Sequence, residues 1–394
     1  MAAPDGAALQ VLSPLPGATV GNGNLVSIEI QTSAPLDGIS GWVEVAASEL
    51  GAWQPARLVP DQPLRWRYLW PDPSSGPQNV RVRAVSAPES RIVETSVAVN
   101  VDPTAASGIR DPYASPGGFY KGQLHDHSTW SFDGWTSMPP RQLAEEYRRL
   151  GFDWLAITDH NVVANPSELN NGAFAVIPGY ESTTETGHIV GLFTDTAVDF
   201  NLPPQARIDA ITAAGGLAIL AHPGWTVGWT ETQVENLHGY TALEIFNGVT
   251  TSSPERIQRS LTKWHRELRA RGREHPVWAV AVDDAHQPSA MNRGWVMAKL
   301  PTVTPATIKA ALQRGAFYAS NGPSFSAIGV LDGAIAASSR NARTIRFIDQ
   351  NMKVVAEGPP ALATYRPNGQ ELFIRIEAVA GDGATAWSQP FFIG

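Results

Sequence analysis

Between Phe119 and Asn321 the chain alternates short apolar runs with amphipathic stretches, and nearly every apolar run ends on a histidine, aspartate or glutamate. The runs end at Leu124 and in DWLAIT, AFAVI, HIVGLF, LAILA, ALEIF and VWAVAV. Each is of strand length and mostly apolar. The stretches between them carry helix punctuation. Ser137 is read as the cap of a first helix with Pro139 and Pro140 in its opening turn and Gly151 as its stop. Further helices run from Pro204 to Ala214, up to about Leu237, from Ser253 and Pro254 to Gly272, and from Thr304 and Pro305 to Gly315. Strands alternating with helices predict a β/α barrel of about seven strands, in which chemistry gathers at the strand C-termini.

The ligand-type residues fall where that geometry puts a site. The first run delivers His125 and His127, which point to the same side of an extended chain and can grip one metal ion. DWLAIT leads into Asp159 and His160, AFAVIPGY into Glu181, LAILA into His222, and VWAVAV into Asp283, Asp284 and His286, while His188 opens HIVGLF. Six of the nine histidines therefore share one predicted rim. His238, His265 and His275 are assigned no role, and His265, next to Trp264 on a helix, is expected to face water. With no cysteine in the chain, any metal must be held by His, Asp and Glu.

In that order, HDH, TDH, the Glu of PGYE, GHIVG, AHP and DDAH resemble the motifs of the PHP (polymerase and histidinol phosphatase) superfamily. DDAH together with QRGAFYASNGPSF is similar to the metallohydrolase group that includes carbaryl hydrolase. The resemblance covers roughly the middle half of the chain. It implies a distorted seven-stranded (β/α)7 PHP barrel with two or three divalent metal ions, zinc, manganese or iron, and phosphoesterase activity. Carried over, His125, His127, Glu181 and Asp284 hold one metal, and Asp133 and His160 with His286 hold or border a second. Glu181 bridges to a third, held by His188 and His222. The HSTWSFDG loop is one residue longer than the compact form of the family, so Asp133 decides whether one of these sites is complete.

The expected reaction is hydrolysis of a phosphomonoester or phosphodiester by attack of metal-bound hydroxide, since no cysteine and no GxSxG elbow offers a nucleophile. Asp159 is expected to orient that hydroxide, whereas Asp283 is read as a solvated neighbour of Asp284. His222 or Asp133 would protonate the leaving group. Arg293 is a candidate phosphate contact, Asn247 a substrate hydrogen-bonding group, and Trp225, Trp229 and Tyr180 candidate pocket walls. Carbamate or carboxylic-ester hydrolysis on the same scaffold is the alternative. The amidohydrolase barrel shares the HxH start, but this chain has no lysine between Lys121 and Lys263 to bridge two metals in that family's manner. A non-catalytic surface protein around a decayed barrel ranks last, because the ligand set is complete.

The flanks read differently. Turn-bounded alternating runs such as GWVEV, RWRYLW, NVRVRAV and VETSVAVNV predict an immunoglobulin-like β-sandwich over 1–108, with Trp42, Trp66 and Trp70 in its core or interfaces. A Pro, Gly and Ser-rich linker is placed at 109–118, the barrel at 119–321, and a small β domain of runs such as FSAIGV, TIRFID and ELFIRIEAV at 322–394. The net charge of −8 disfavours a stable nucleic-acid partner and leaves a small, phosphorylated substrate as the expected ligand. No apolar run is long enough to span a membrane. The start MAAPDGAALQ shows no signal peptide, and its small residues fit a mature exported protein, periplasmic or extracellular, although a cytoplasmic one fits too.

Overall fold

The computed structural model describes residues 9–21, 25–39, 41–47, 51–86, 91–102, 108–133, 138–225 and 229–394. Ser137, read as a helix cap, and the first eight residues, on which the export expectation rests, lie outside them.

The N-terminal alternation becomes two sheets. One orders Leu9–Ser13, Leu25–Thr32, Gln62–Pro71 and Arg57–Val59; the other orders Thr19–Val20, Arg91–Val101, Gly76–Ser86, Gly41–Ala46 and Gln54–Pro55. Every second residue of Leu25–Thr32 turns inward, so Val26, Ile28 and Ile30 meet Val43, Val45, Val80, Val82, Val97 and Val99 from the other sheet. Trp66 and Trp70 are buried in this core, and Trp42 packs at its edge.

The middle of the chain is mixed α/β, built on a long curled sheet. From Gly118–Gln123 it continues through Trp154–Ile157, Ala175–Ser182, Ile189–Leu192, Leu217–Leu220, Ala242–Asn247 and Trp278–Val282. All neighbours are parallel except Ile189–Leu192, which is antiparallel to both of its own. The curl brings its two ends together at the strand exits, where Asp126 bridges Ala285. There the Asp284 amide donates to the His125 carbonyl at 2.9 Å and the His127 amide to the Ala285 carbonyl at 3.2 Å.

Helices are fewer than strict alternation predicts. Pro140–Arg149, Pro204–Ala213, Glu231–Asn236, Pro254–Arg271 and Pro305–Arg314 are the α-helices among the described residues. Only a 3-10 turn at Ser167–Leu169 separates Trp154–Ile157 from Ala175–Ser182, where Pro166 and the Asn170-Asn171-Gly172 run break any longer helix. The next connection, Thr183 to His188, is too short for a crossover, so the strand after it must run back antiparallel. The expected caps at Ser253 and Thr304 and the stops at Gly272 and Gly315 are in place.

Two strands of the same sheet, Trp295–Leu300 and Phe317–Ser320, were not legible as strands. Lys299 breaks the apolar pattern of the first. Its ammonium is nevertheless buried, because it pairs with Asp72 and donates to the Tyr113 carbonyl at 2.6 Å.

Pairing continues past Asn321: Ala319 and Ser320 face Trp387 and Ala386, and Thr344–Asp349, Phe373–Val379 and Phe391–Ile393 extend the same sheet. The segment read as a linker is tied down as well, since Ile109–Arg110 pairs with Phe391–Ile393 and Tyr113 is fully buried. His265 corrects an expectation. The C-terminal strands cover its helix face, and the buried ring accepts from Arg375 Nε at 2.6 Å instead of meeting water. Burial, reinforced by the Arg375 charge, lowers its pKa to about 2.

Candidate metal centre

The strand exits of the curled sheet converge on one cavity of about 440 Å³, walled by Asp133, His160, Glu181, His188, His222, Asp284 and His286 together with Trp225, Val249, Thr250, Gln287 and Ala290. His125 and His127 are fully buried behind this wall, His125 Nε2 within 3.4 Å of Glu181 and His127 Nε2 within 3.1 Å of Asp284. All nine residues expected as metal ligands are therefore brought to one place. Two of them, His222 (φ 33°) and Asp284 (φ 56°), leave their strands in the left-handed region, a conformation uncommon for residues other than glycine and held where the surroundings dictate it.

Glu181 is the hub. Its Oε1 lies 2.9 Å from His188 Nδ1, 3.3 Å from His222 Nε2 and 3.4 Å from His125 Nε2. Its Oε2 lies 2.8 Å from His160 Nδ1 and 3.7 Å from His127 Nε2. Asp284 Oδ1 is 3.1 Å from His127 Nε2, and Asp133 Oδ2 is 2.5 Å from His286 Nε2 and 3.3 Å from His160 Nε2. The longer loop thus still delivers Asp133 to the histidines it was expected to join. Three triads have donor atoms within 4.8 Å of one another: His125, His127 and Glu181; His127, His160 and His286; Glu181, His188 and His222.

Hydrogen bonds behind the cluster set which ring nitrogens face it. His125 donates from Nδ1 to Glu244 at 2.6 Å, leaving Nε2 pointing inward. Ser131 gives its proton to Asp159 at 3.0 Å, so it can only accept from His127 Nδ1 at 2.8 Å, and His127 Nε2 also faces inward. The two inward nitrogens, His125 Nε2 and His127 Nε2, are 3.2 Å apart. Two lone pairs at that distance repel unless a proton or a cation lies between them. His222 Nδ1 and Asp133 Oδ1 are buried with no hydrogen-bond partner.

Burial alone would suppress the His125 cation, but Asp284, Glu244 and Glu181 outweigh it and hold its pKa well above the ordinary range. For His127 burial wins, despite Asp284, and the pKa falls to about 4. Desolvation pushes Glu181 up, yet His125 and the hydrogen bonds from His125, His160 and His188 hold it well below the usual carboxylate range. Asp284 is lowered against desolvation by His125 and His127. The histidines thus hold Glu181 and Asp284 ionised, and the ring nitrogens that converge on these two carboxylates form a donor set that fits divalent metal ions taking the place of the imidazole protons.

Several neighbours act otherwise than expected. Both oxygens of Asp159 are taken by the Ser128 amide and hydroxyl, at 2.6 Å each, with Oδ1 also accepting from Ser131, so it braces the loop behind His127 and does not reach the cavity. Asp283 is no solvated neighbour. It is fully buried and accepts from Tyr147 at 2.8 Å and from the amides of Asn292, Arg293 and Gly294. Arg293 turns its guanidinium to the Gly248 and Ser289 carbonyls, and Asn247 donates to Glu244 and Asp284 beneath the site. Tyr180 and Trp229 are core residues; of the three expected walls, only Trp225 lines the cavity.

Glu244 was missed by the sequence reading. Its signal was a lone carboxylate inside the apolar run ALEIF, a residue that a buried strand holds only when it is paired.

No family model matches the chain. An uncharacterized protein of Methanocaldococcus jannaschii is 32% identical over 115 residues, which is 26% of this chain and 67% of that protein. Among solved structures, CopC from Methylosinus trichosporium OB3b is 20% identical with a TM-score of 0.21, covering 25% of this chain and 96% of its own. The β-glucuronidase of Parabacteroides merdae is 10% identical with a TM-score of 0.18, covering 97% of this chain and 64% of its own. Neither likeness is close enough to carry an argument about fold or chemistry.

Proposed function

We propose, for a chain that belongs to one family with this archaeal protein, a metal-dependent phosphoesterase built on a PHP-type barrel and acting on a small phosphorylated substrate. The observation that supports it most is Glu181, one buried carboxylate in reach of five histidines and common to two of the three triads. His125, His127, Glu181 and Asp284 would hold one ion, His160, His286 and Asp133 a second, and Glu181, His188 and His222 a third. Ions held there would supply hydroxide at neutral pH and offset the charge that builds on phosphoryl oxygens.

The chain's own residues do the rest. Glu244 and Ser131 hold two imidazoles in one tautomer, and Asp159 fixes the loop that carries Ser131. In the reaction a water oxygen bonds to phosphorus, the bond from phosphorus to the alcohol oxygen breaks, and the departing oxygen takes a proton. His222 and Asp133, both on the cavity wall, are the groups placed to give it in whichever arrangement leaves one of them off the ions. Carbamate or carboxylic-ester hydrolysis is the second reading, favoured by the apolar wall of Trp225, Val249 and Ala290.

The test is turnover by purified chain reconstituted with zinc or manganese, on a nitrophenyl phosphomonoester, a phosphodiester and an aryl ester or carbamate in parallel, with His222→Ala and Asp284→Ala beside it. Phosphoester turnover lost in both variants is expected. Turnover of the ester or carbamate alone would replace the phosphoesterase reading with the second one, and turnover that survives both variants would remove the metal cluster from the chemistry.

A further inference from the structure

The cavity is unusual for a phosphate site in what surrounds its ligands. Among the described residues, neither arginine nor lysine lines it, and residues 134–137 and 226–228, which lie outside the described residues, include none by sequence. Arginines do stand near the rim, but each is bound to backbone carbonyls. Arg207 donates to Ser182 at 3.0 Å and Gly187 at 3.1 Å, Arg256 to Thr250 at 2.7 Å, and Arg293 to Gly248 at 3.1 Å and Ser289 at 3.0 Å. They hold the rim loops and leave no cation for a second anionic group. A phosphate-rich substrate would normally meet arginine forks or lysines in addition to metal.

What the rim offers instead is apolar. Trp225 stands edge-on to His222 with ring centroids 5.3 Å apart, and Val249 is 46% exposed at the cavity wall. Phe132 stacks on His160 with ring centroids 4.5 Å apart, and the residue is 72% exposed. Aromatic side chains left open beside a polar centre are costly unless something apolar covers them.

Resting on the hydrolase reading above, we infer that the organic group next to the reacting centre is uncharged and apolar, aromatic by preference, and that Trp225 and Phe132 are the residues that select it. Sugar phosphates and nucleotides carrying further anionic groups are disfavoured, because their second charge would enter a cavity that no lysine or arginine among the described residues lines.

Two measurements on the metal-loaded full chain test this separately from turnover as such. The first compares p-nitrophenyl phosphodiesters whose second alcohol is phenol or the hydroxyl of a sugar phosphate. The phenyl ester is expected to have the higher kcat/KM by about tenfold or more, the scale of burying one aromatic ring, mainly through KM. Trp225→Ala and Phe132→Ala should each reduce the ratio, and Trp225→Phe should restore most of it. The second is calorimetric binding of phenylphosphonate against methylphosphonate, with the phenyl compound tighter by about the same factor. If neither ester turns over but phenylphosphonate keeps its advantage and loses it in Trp225→Ala, the hydrolase reading falls and the apolar subsite stands. Equal binding of the two phosphonates, no binding of either, or preference for the sugar-phosphate ester overturns the inference.

Discussion

Glu244→Gln is the substitution whose outcome the geometry decides most sharply. The carboxylate only accepts: Oε1 from His125 Nδ1 at 2.6 Å, and Oε2 from the His222 amide at 2.7 Å and Asn247 Nδ2 at 2.9 Å. A glutamine of the same shape must place its NH2 on one side. Facing His222 and Asn247, it sets donor against two donors. Facing His125, it forces that ring into the other tautomer, and Nε2 then points a proton into the cluster. Either arrangement loses at least one charge-assisted hydrogen bond, worth about 1.5–3 kcal/mol. Loss of such support typically weakens metal affinity about 10–100-fold. The assay is competition for zinc with a chelator of known affinity, with circular dichroism to show that the variant is folded. A folded Glu244→Gln protein with wild-type metal affinity would refute the view that Glu244 orients His125.

Other outcomes follow from single contacts. The pKa of His265 is lowered from about 6.5 in an unfolded chain to about 2, so below about pH 6.5 the unfolded state binds the extra proton and stability falls as pH drops, at up to about 1.4 kcal/mol per pH unit. His265→Gln keeps an acceptor for Arg375, and denaturant midpoints measured from pH 7 to 4 should lose that component of the slope; an unchanged slope would show that His265 does not supply it. A Cβ on Gly122 would lie 1.8 Å from the Trp154 ring on the neighbouring strand, so Gly122→Ala should destabilise by about 3 kcal/mol in urea denaturation, and a wild-type midpoint would contradict the packing. Asp133→Ala should lower the bound metal by one ion per chain, read by elemental analysis, while leaving the fold unchanged; undiminished stoichiometry would take Asp133 out of the ligand set.

The rim was legible because the ligands other than His188 and Asp133 closely follow apolar runs that read as buried strands, so the exits of those runs had to meet wherever the strands formed one sheet. Helix ends were legible for an equally local reason: Ser253, Thr304, Gly272 and Gly315 carry their signals in the residues themselves. Contacts made by distant segments were hidden. Lys299 looks like a surface residue until Asp72 and Tyr113 arrive, and His265 looks exposed until Arg375 covers it. Asp283 and Arg293 sit at the rim in sequence but turn to backbone partners, a choice of direction that spacing does not encode. Glu244 was visible in principle, as an ionisable residue in an apolar strand.

Metal stoichiometry of the purified full chain tests the central claim most directly. After reconstitution with zinc or manganese and removal of loose ions, elemental analysis should find two or three ions per chain. Glu181→Gln, which alters the carboxylate common to two of the triads, should lower that number with the fold retained. A folded chain that binds no ion, or a Glu181→Gln variant that binds as many as the parent, would contradict the account.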